Sequence, residues 1–432
     1  MTGVPEAEAL YLGVDLGTSA CRLCAIDDAG KERAWVRTKL PAPHRRGVEV
    51  DQTAELWWTA LEQAMDALSS KVPPGSIRSI AVDGTSGTLL LCDPDGRPGG
   101  PALMYNDARS TVEARRIAAV APAECGAHGA TSSLAKLLYL QGTAAADRAG
   151  HALHQADWVT GRLTGRFGVS DENNVLKLGY DPVQRQWPQW LAELGVPRSW
   201  LPSVYPPGTP IGSLAPQWAR RWGLAPDVRV ATGTTDSTAG FIATGARQPG
   251  EAVTALGSTL VIKVLARTPV FAPPYGVYSH RLDDLWLAGG ASNTGGAVLR
   301  RFFSDRELDR LTPHLQPQQP TGLDYYPLPA AGERFPDSDP GREPRLEPRP
   351  NDDVIFLQGL LESIAAIEAR GYRRLAELGA PYPSRVLTVG GGAVNAAWTA
   401  IRARLLGVPV TAAPHQEAAY GAALLARRAC RM

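Results

Sequence analysis

A strand followed by a turn of glycine and hydroxyl residues recurs along this chain, and the repetition constrains the fold more than any other feature. Glycine lets the backbone approach a ligand closely, and successive N–H groups in such turns bind anions. A single turn of this kind would only end a strand, but several together predict phosphate binding at strand ends. The turns are VDLGTSA (14–20), VDGTSGT (82–88), ATGTTDS (231–237) and ALGSTL (255–260), with TVGGGAVN (388–395) as a variant.

Strands alternate with helical patterns along the sequence, which predicts an α/β protein. A chain of 432 residues fits two large lobes. The Gln-Pro-Gly turn at 248–250 predicts the boundary between a lobe of residues 1–247 and one of residues 248–432. The turns at 15–19 and 255–259 each head a strand hairpin, which indicates an ancient internal duplication.

Charge and composition argue against several classes of function. A net charge of +1 gives no electrostatic reason to bind nucleic acid or an anionic membrane. We expect a cytoplasmic protein, monomeric or homodimeric, because the sequence has no long apolar run and only five cysteines. Cys21 and Cys24 form a CxxC in a strand-like run, where they would point to opposite faces, so a redox or metal role is not expected.

The chain contains no GxxxxGK[ST] motif, and no GxGxxG follows its first strand. Any phosphate must therefore be bound by backbone N–H groups, Ser and Thr hydroxyls and a metal ion. Asp15 follows a strand beside the first turn, and Mg²⁺ uses one or two carboxylates together with phosphate oxygens and water. The alternative role for Asp15 is an Asx-turn within the hairpin.

Asp236 is the single charged residue in the window VATGTTDSTAGFIATGA (230–246). It could cap the helix that follows. A carboxylate at a strand end also faces the crevice where α/β proteins bind ligands. Because the window has no Lys or Arg, we expect this carboxylate to accept a proton, as a general base for a sugar hydroxyl does. The two roles are compatible.

Two further patterns have structural interpretations. Residues 313–350 contain ten prolines, which is typical of a linker, but the aromatic residues of DYYPLP (324–329) favour an ordered loop. An amphipathic helix is predicted at 354–378. His151 and His154 are spaced as on one helical turn, and we expect surface or capping roles because zinc requires three or four ligands.

The motifs together resemble those of the FGGY family of carbohydrate kinases, over nearly the whole chain. YLGVDLGTSACRLCAID resembles the first phosphate motif, GTTDS the motif of the catalytic aspartate, EAVTALGSTL the second phosphate motif and VLTVGGGAVNAAW the adenosine motif. The resemblance implies the two-lobed actin-like ATPase fold, which is ribonuclease H-like. Each lobe would have a mixed sheet with flanking helices, and a cleft would separate a sugar-binding from an ATP-binding lobe.

The resemblance also implies ATP and Mg²⁺ as cofactors and assigns roles to individual residues. Asp236 would be the catalytic base, and Asp15 would contact the sugar and the metal. Trp398 is either a wall for the purine or a core residue of its helix. The other implied site residues are Ser86 for the sugar, Thr18 and Ser19 near the transferred phosphate, Gly257, Ser258 and Thr259 for ATP phosphates, and Gly391, Gly392 and Asn395 for the adenosine.

Within the family, the chain resembles the D-ribulose kinases of plants and cyanobacteria. VDGTSGTLLLCD stands where xylulose kinases carry a Gln-Met-His type motif, and QADW, LKLGY and GGASNTGGAVLRRFF agree with the same branch. The resemblance implies phosphorylation of D-ribulose to D-ribulose 5-phosphate. D-Xylulose, or another ketose or polyol, is the alternative substrate. Rival functions are an actin-like nucleotide switch with a protein partner and a silent sugar-binding regulator.

Overall fold

The computed structural model describes residues 8–432, and these residues form two compact units. One unit contains the residues up to Ala243 together with Glu417–Met432, and the other is Thr244–Gln416. The chain therefore leaves the first unit once and returns to it for a final helix.

The first unit contains thirteen strands and eight helices among its described residues. The strands are β1 (Leu10–Leu16), β2 (Ala20–Ile26), β3 (Glu32–Lys39), β4 (His44–Arg46), β5 (Glu49–Gln52), β6 (Ile77–Gly84), β7 (Leu89–Cys92), β8 (Ala102–Leu103), β9 (His151–His154), β10 (Val169–Asp171), β11 (Ser203–Tyr205), β12 (Pro210–Ser213) and β13 (Arg229–Thr235). The helices are α1 (Glu55–Ser69), α2 (Thr111–Ala118), α3 (Ser133–Gln141), α4 (Gln155–Thr164), α5 (Trp190–Glu193), α6 (Pro216–Trp222), α7 (Asp236–Ala243) and, after the second unit, α12 (Ala418–Arg431).

The main sheet of the first unit has the strand order β12-β13-β6-β1-β2-β3. Strands β1, β2 and β3 form antiparallel hairpins, whereas β1, β6 and β13 run parallel. All seven residues of β1 are buried, which is expected for a central strand covered on both faces. The mixed sheet with flanking helices agrees with the α/β prediction.

Helix α12 covers one face of this sheet at very close range. A Cβ atom added to Gly13 would lie 1.9 Å from the Ala419 carbonyl oxygen, and one added to Gly421 would lie 1.9 Å from that of Ala239. Glycine is therefore required on both sides of the helix, towards β1 and towards α7. The helix contains nearly all of the residues after Gln416, which belong to the first unit. Its alanine face is buried.

A second, smaller sheet in the same unit has the strand order β4-β5-β8-β7-β9. Its own apolar cluster contains Leu89, Leu134, Leu137 and Leu178, contributed by β7, α3 and the chain that follows β10. This cluster supports the segments that surround the 84–88 turn.

The second unit has six strands and four α-helices. They are β14 (Glu251–Leu256), β15 (Leu260–Ala266), β16 (Tyr278–Leu282), β17 (Leu285–Ser292), β18 (Arg385–Val389) and β19 (Val410–Ala412), with α8 (Gly296–Leu299), α9 (Asp305–Leu311), α10 (Asp353–Glu377) and α11 (Ala396–Leu406).

The sheet of the second unit repeats the plan of the first, with the order β16-β17-β15-β14-β18-β19. The hairpin β14–β15 is antiparallel, and β14, β18 and β19 run parallel, as β1, β6 and β13 do. The hairpins that the two sequence turns predicted therefore occupy equivalent positions in two sheets, which agrees with a duplication. Helix α10 lies within one residue of its predicted bounds at each end, and no helix within residues 8–432 is long and apolar enough to cross a membrane.

The proline-rich stretch is an ordered loop packed on the second unit, as its aromatic residues predicted. Tyr325, Tyr326, Leu328 and Phe335 are buried in the core of that unit. The loop contains almost no regular secondary structure, and its packing comes from these side chains and from a buried acid, Glu333.

Candidate active site

Three neighbouring parallel strands of the first unit bring their carboxyl ends to one level. Asp15 on β1 is the cross-strand partner of Asp83 on β6, and Asp83 is the partner of Thr234 on β13. The turns that follow these strands are the glycine-hydroxyl turns found in the sequence. Because the carboxyl ends of parallel strands are where α/β sheets bind ligands, this level defines the candidate site.

Asp15 is held by an ion pair within its own hairpin. It lies opposite Arg22 in the β1–β2 register, and Arg22 Nη1 donates to Asp15 Oδ2 over 2.7 Å. Asp15 is buried, which raises the pKa of its carboxyl, while the guanidinium of Arg22 opposes that shift. The pairing favours the charged form of Asp15 against the effect of its burial.

Asp83 is a second acid at this level that the sequence interpretation missed. It is fully buried, and within residues 8–432 no N–H or O–H group donates to either of its oxygens. Burial raises the pKa of Asp83 well above its usual range, and the nearby charges of Asp15 and Asp236 raise it further. Because Arg22 favours the charged form of Asp15 while burial favours the neutral form of Asp83, we assign a proton to Asp83.

Asp236 is the first residue of α7, directly after β13. Its Oδ1 accepts a hydrogen bond of 2.6 Å from the Ser237 N–H, so it satisfies a backbone donor at the helix start. The side chain is half-buried, and its charge reaches Asp83. This contact is to the next residue rather than to the N2 or N3 N–H that an N-cap side chain binds, and it leaves the proposed role in proton transfer compatible with the structure.

Ser86 lies half-buried at the tip of the 84–88 turn, which is fixed from two sides. Gln155 Oε1 accepts from the Thr85 N–H at 3.0 Å and from its hydroxyl at 2.8 Å. Within the described chain, the Nε2 of Gln155 is buried without a hydrogen-bond partner. One end of the turn is therefore held by Gln155 at the start of α4, and the other end, at Gly87, is held by a side chain of α3.

Thr18 and Ser19 lie in the tight turn between β1 and β2, which Gly17 closes by donating its N–H to the Ala20 carbonyl at 3.1 Å. Thr18 is half-buried and Ser19 is exposed. Both hydroxyls are thus accessible one turn away from Asp15, within the same unit.

In the second unit, the predicted phosphate turn 257–259 is supported by the loop that follows β17. The Gly296 N–H donates to the Gly257 carbonyl at 2.9 Å, and the Ala297 N–H to the Ser258 carbonyl at 3.1 Å. Gly257 and Ser258 are exposed, and Thr259 is half-buried. Gly295 adopts φ +146°, and a Cβ there would lie 2.7 Å from the Ser258 oxygen.

Glu333 of the proline-rich loop anchors the supporting loop. Its carboxylate is almost fully buried and accepts from the Ser292 hydroxyl at 2.6 Å, the Asn293 N–H at 2.8 Å and the Tyr326 hydroxyl at 3.2 Å. The proline-rich loop is therefore connected, through 292–297, to the backbone of Gly257 and Ser258.

A cavity of about 550 Å³ lies within the second unit and is large enough for a nucleoside. Five of the six predicted nucleotide residues in this unit line it, the exception being Thr259. One face of α9 forms another part of the wall, with Asp305, Leu308 and Asp309. The predicted residues in the lining are Gly257, Ser258, Gly391, Gly392 and Asn395.

Asn395 and Trp398 shape the glycine side of this cavity. Asn395 caps α11 by accepting the Trp398 N–H at 2.8 Å, and its Nδ2 donates to the Thr312 hydroxyl at 3.2 Å. Trp398 is buried, with Nε1 donating to the Leu361 carbonyl at 3.1 Å, and it also lines the cavity. Trp398 is therefore a core residue of its helix, and its place in the cavity lining leaves its role as a wall for the purine a prediction.

The cysteines and histidines noted in the sequence have structural roles rather than roles in the candidate site. Cys21 and Cys24 lie on β2 in two different apolar clusters, and burial raises the pKa of both thiols. The helical spacing read for His151 and His154 is wrong, because both lie on the strand β9. His154 is fully buried rather than on the surface, and it is the N-cap residue of α4.

The donor set suits a cation bound mainly by a nucleotide. No group of three or more His, Cys, Asp or Glu side chains between residues 8 and 432 is arranged to hold a metal ion by itself. Asp15 offers one carboxylate, part of which is committed to Arg22. Mg²⁺ needs only one or two carboxylates when phosphate oxygens and water complete its shell, so the residues present fit that mode.

Duplicated mixed sheets with phosphate-type turns at their strand ends define an α/β protein of the nucleotide-binding kind. Comparison with known proteins identifies the family: residues 10–243 match the N-terminal domain of the FGGY family of carbohydrate kinases, and residues 252–430 match the C-terminal domain. The chain belongs to this family.

Individual relatives are similar at low identity. The chain is 26% identical to the xylulose kinase of Escherichia coli over 64% of its own length and 59% of that protein. It is 27% identical to the xylulose kinase of Streptomyces coelicolor over 93% of its length and 84% of that protein. The crystal structure of a xyloylose kinase from Brucella ovis superposes with a TM-score of 0.88 at 24% identity, over 98% of this chain and 90% of the other, which supports the fold.

Proposed function

We propose that the protein is an ATP-dependent kinase of a ketopentose, and that its substrate is D-ribulose, which it converts to D-ribulose 5-phosphate. One observation carries the proposal: Asp15, Asp83 and the strand end before Asp236 lie level on three adjacent strands. Family membership and a nucleoside-sized cavity in the second unit support the same function.

In the proposed reaction, the primary hydroxyl of the sugar attacks the γ-phosphorus of ATP. A new C–O–P linkage forms, the bond between the γ-phosphorus and the β,γ-bridging oxygen breaks, and ADP leaves. Asp236 accepts the proton of the attacking hydroxyl. Asp15 and Ser86 orient the other hydroxyls of the sugar, and the hydroxyls of Thr18 and Ser19 lie near the transferred phosphoryl group.

The proposal divides the work between a sugar-binding lobe, predicted as residues 1–247, and an ATP-binding lobe, predicted as residues 248–432. Residues 417–432, within the second predicted range, pack on the first unit. In the second lobe, Gly257, Ser258 and Thr259 hold phosphates through backbone N–H groups and hydroxyls. The purine and ribose occupy the cavity beside the glycines of the 391–395 segment. Mg²⁺, when bound to the phosphates, neutralises charge on the phosphoryl group, and Asp15 is its one proposed carboxylate partner.

D-Xylulose is the second candidate substrate, because the similar proteins are named xylulose kinases. D-Ribulose is preferred on the VDGTSGTLLLCD stretch, which replaces the motif of typical xylulose kinases. The two sugars differ in the configuration of one carbon, so discrimination depends on the side chains around the Ser86 turn.

The deciding experiment measures kcat/KM with MgATP for D-ribulose, D-xylulose, L-ribulose, ribitol and glycerol. We expect the highest value with D-ribulose. A higher value for D-xylulose would change the proposed substrate and leave the proposed kinase activity in place. ATP hydrolysis that is indifferent to every sugar would instead favour a nucleotide-dependent switch, and nucleotide-independent sugar binding without turnover would favour a silent regulator.

A further inference from the structure

Lys136 is a buried lysine that the proposed reaction does not use. It lies on α3, and its side chain is fully buried. Its Nζ donates hydrogen bonds to three backbone carbonyls, those of Gly87 at 2.7 Å, Thr131 at 2.8 Å and Tyr105 at 3.3 Å. These acceptors belong to three segments that are distant in sequence.

A buried ammonium without a carboxylate partner is costly, so its presence calls for a physical reason. Within residues 8–432, no carboxylate oxygen lies within 4 Å of Lys136 Nζ. The three carbonyls satisfy the three donors of the ammonium completely. An apolar side chain of the same length would fill the space but would leave the buried Gly87 carbonyl and the two part-buried carbonyls without this donor.

One of the three acceptors belongs to the turn that carries Ser86. Gly87 is the next residue, and it adopts φ +92°, so its carbonyl direction is set by an unusual backbone conformation. Gln155 fixes the other end of the turn through Thr85. The turn is thus held at both ends, and Lys136 is the charged group that donates to its backbone at Gly87, while the stem of Lys177 lies beside Gly87.

We propose that Lys136 is a positioning residue for the sugar: its ammonium draws the Gly87 carbonyl towards α3 and so holds the Ser86 hydroxyl at the sugar-binding level. The inference rests on the proposed function and goes beyond it, since it makes sugar affinity depend on the charge of a side chain that touches neither substrate.

The charged groups around Lys136 determine how this dependence varies with pH. Burial, followed by the positive charge of Lys177, lowers the pKa of Lys136 to about 7, while Asp107 opposes the shift. Asp107 is itself paired with Arg109, which limits its help. Above the folded pKa the neutral amine has two donors for three carbonyls, so one contact is lost and the turn is less restrained as pH rises.

The first test replaces Lys136 by methionine, which keeps the length and removes the donors. We expect the KM for D-ribulose to rise about 10- to 100-fold, because charge-assisted hydrogen bonds are lost. The KM for ATP and the kcat at saturating sugar should stay within about threefold. Lys71→Met is the matched control: Lys71 Nζ also donates to a carbonyl, that of Trp35 at 2.8 Å, but at an exposed place.

The second test is the pH profile of the wild-type protein from pH 6 to 9. The KM for D-ribulose should rise as pH increases through the pKa of Lys136, while the KM for ATP stays constant. Lys136→Arg keeps the charge over this range and should flatten the profile. A wild-type sugar KM that does not change with pH contradicts the proposal, and this measurement decides the matter even if Lys136→Met fails to fold.

A third measurement separates this inference from the proposed kinase activity. Amide hydrogen exchange of residues 84–88 should accelerate in Lys136→Met and remain unchanged in Lys71→Met, whatever the enzyme phosphorylates. Unchanged exchange in a folded Lys136→Met protein overturns the inference. Absence of turnover of any sugar by the wild type overturns the proposed function instead, and leaves the exchange result interpretable.

Discussion

Two acids on adjacent strands, Asp15 and Asp83, are register partners at the level where the sheet meets its ligands. Arg22 stabilises the charge of Asp15, and no donor among the described residues reaches Asp83. Burial and the neighbouring charge of Asp15 favour the protonated form of Asp83, in which the pair presents one negative charge instead of two.

Replacing Asp83 by asparagine should stabilise the protein at neutral and alkaline pH. The folded pKa of Asp83 lies above its unfolded value, so in wild type the folded state binds more protons and stability falls as pH rises from the unfolded pKa to the folded one. Asparagine removes that loss, about 1.4 kcal/mol for each unit of pKa shift, and can donate to Asp15. Urea unfolding at pH 5 to 9 without Mg²⁺ measures it.

The exposed acid Asp147 provides the control, because Asp147→Asn should leave the dependence of stability on pH unchanged. If Asp83→Asn keeps the wild-type slope between pH 5 and 9, the protonated state of Asp83 is wrongly assigned.

Asp236→Asn should lower kcat by about 10²- to 10⁴-fold, since the amide cannot accept the proton of the attacking hydroxyl. Its oxygen can still accept from the Ser237 N–H, so the cap and the affinity for ATP should survive. Steady-state kinetics and titration with ATP measure the two effects. Asp227→Asn, an exposed acid before the same strand, is the control, and wild-type turnover in Asp236→Asn would remove Asp236 from the chemistry.

At the residue scale, the sequence indicated Asp15 and Asp236, which adjoin glycine-hydroxyl turns. It did not indicate Asp83, whose role depends on burial. Asp83 stands in VDGTSGT as Asp15 stands in VDLGTSA, so the parallel was visible in the letters. The proton on Asp83 was not, because it depends on complete burial beside Asp15. Lys136 gave no sequence signal, since the carbonyls of Gly87 and Tyr105, which are distant in sequence, and that of Thr131 together create its role.

At the scale of elements, periodicity predicted the long helix α10 to within one residue at each end. The spacing of the two histidines in HALHQAD matched a helix but belongs to β9 and the start of α4. A short apolar run between turns carries no period long enough to distinguish the two structures.

The proline-rich loop should influence nucleotide binding through Glu333. In Glu333→Gln an amide nitrogen, which is a donor, replaces one acceptor oxygen of the carboxylate. Ser292, Asn293 and Tyr326 all donate to that carboxylate, so at least one of them loses its acceptor. We expect the KM for ATP to rise about 5- to 50-fold with the sugar KM unchanged, because the supporting loop of Gly257 and Ser258 is released. Initial-rate kinetics with each substrate varied in turn measure the split.

Glu343→Gln, an exposed acid in the same loop, should behave as wild type. An unchanged KM for ATP in a folded Glu333→Gln protein would mean that the 292–297 loop is held by its other contacts.

At the scale of the whole molecule, two sequence turns were enough to indicate a duplication that the two sheets repeat. Nothing in the sequence indicated that residues 417–432 pack on the first sheet rather than on the unit that precedes them. That choice depends on the fit of Gly13 and Gly421 against neighbouring backbone, which no pattern of polar and apolar residues records.

Removing residues 417–432 should therefore unfold the first unit and spare the second. The deletion exposes the faces of β1, β6 and α7 that α12 covers. Hydrogen exchange should show lost protection in β1 and β6 and retained protection in α10. A second shortened chain, in which a flexible linker joins residues 8–243 to residues 417–432, should regain protection in β1. Equal protection of β1 in the two shortened chains would contradict this account.

The placement of α12 has a consequence for how the protein is made. A ribosome releases the whole of Thr244–Gln416 before it releases the helix that completes the first sheet. The part of the first unit that is translated first therefore keeps one sheet face uncovered, while the second unit can finish folding around its own core. Nascent chains of this protein are expected to be most dependent on chaperones during that interval, and synonymous changes that slow translation within residues 244–416 would prolong it.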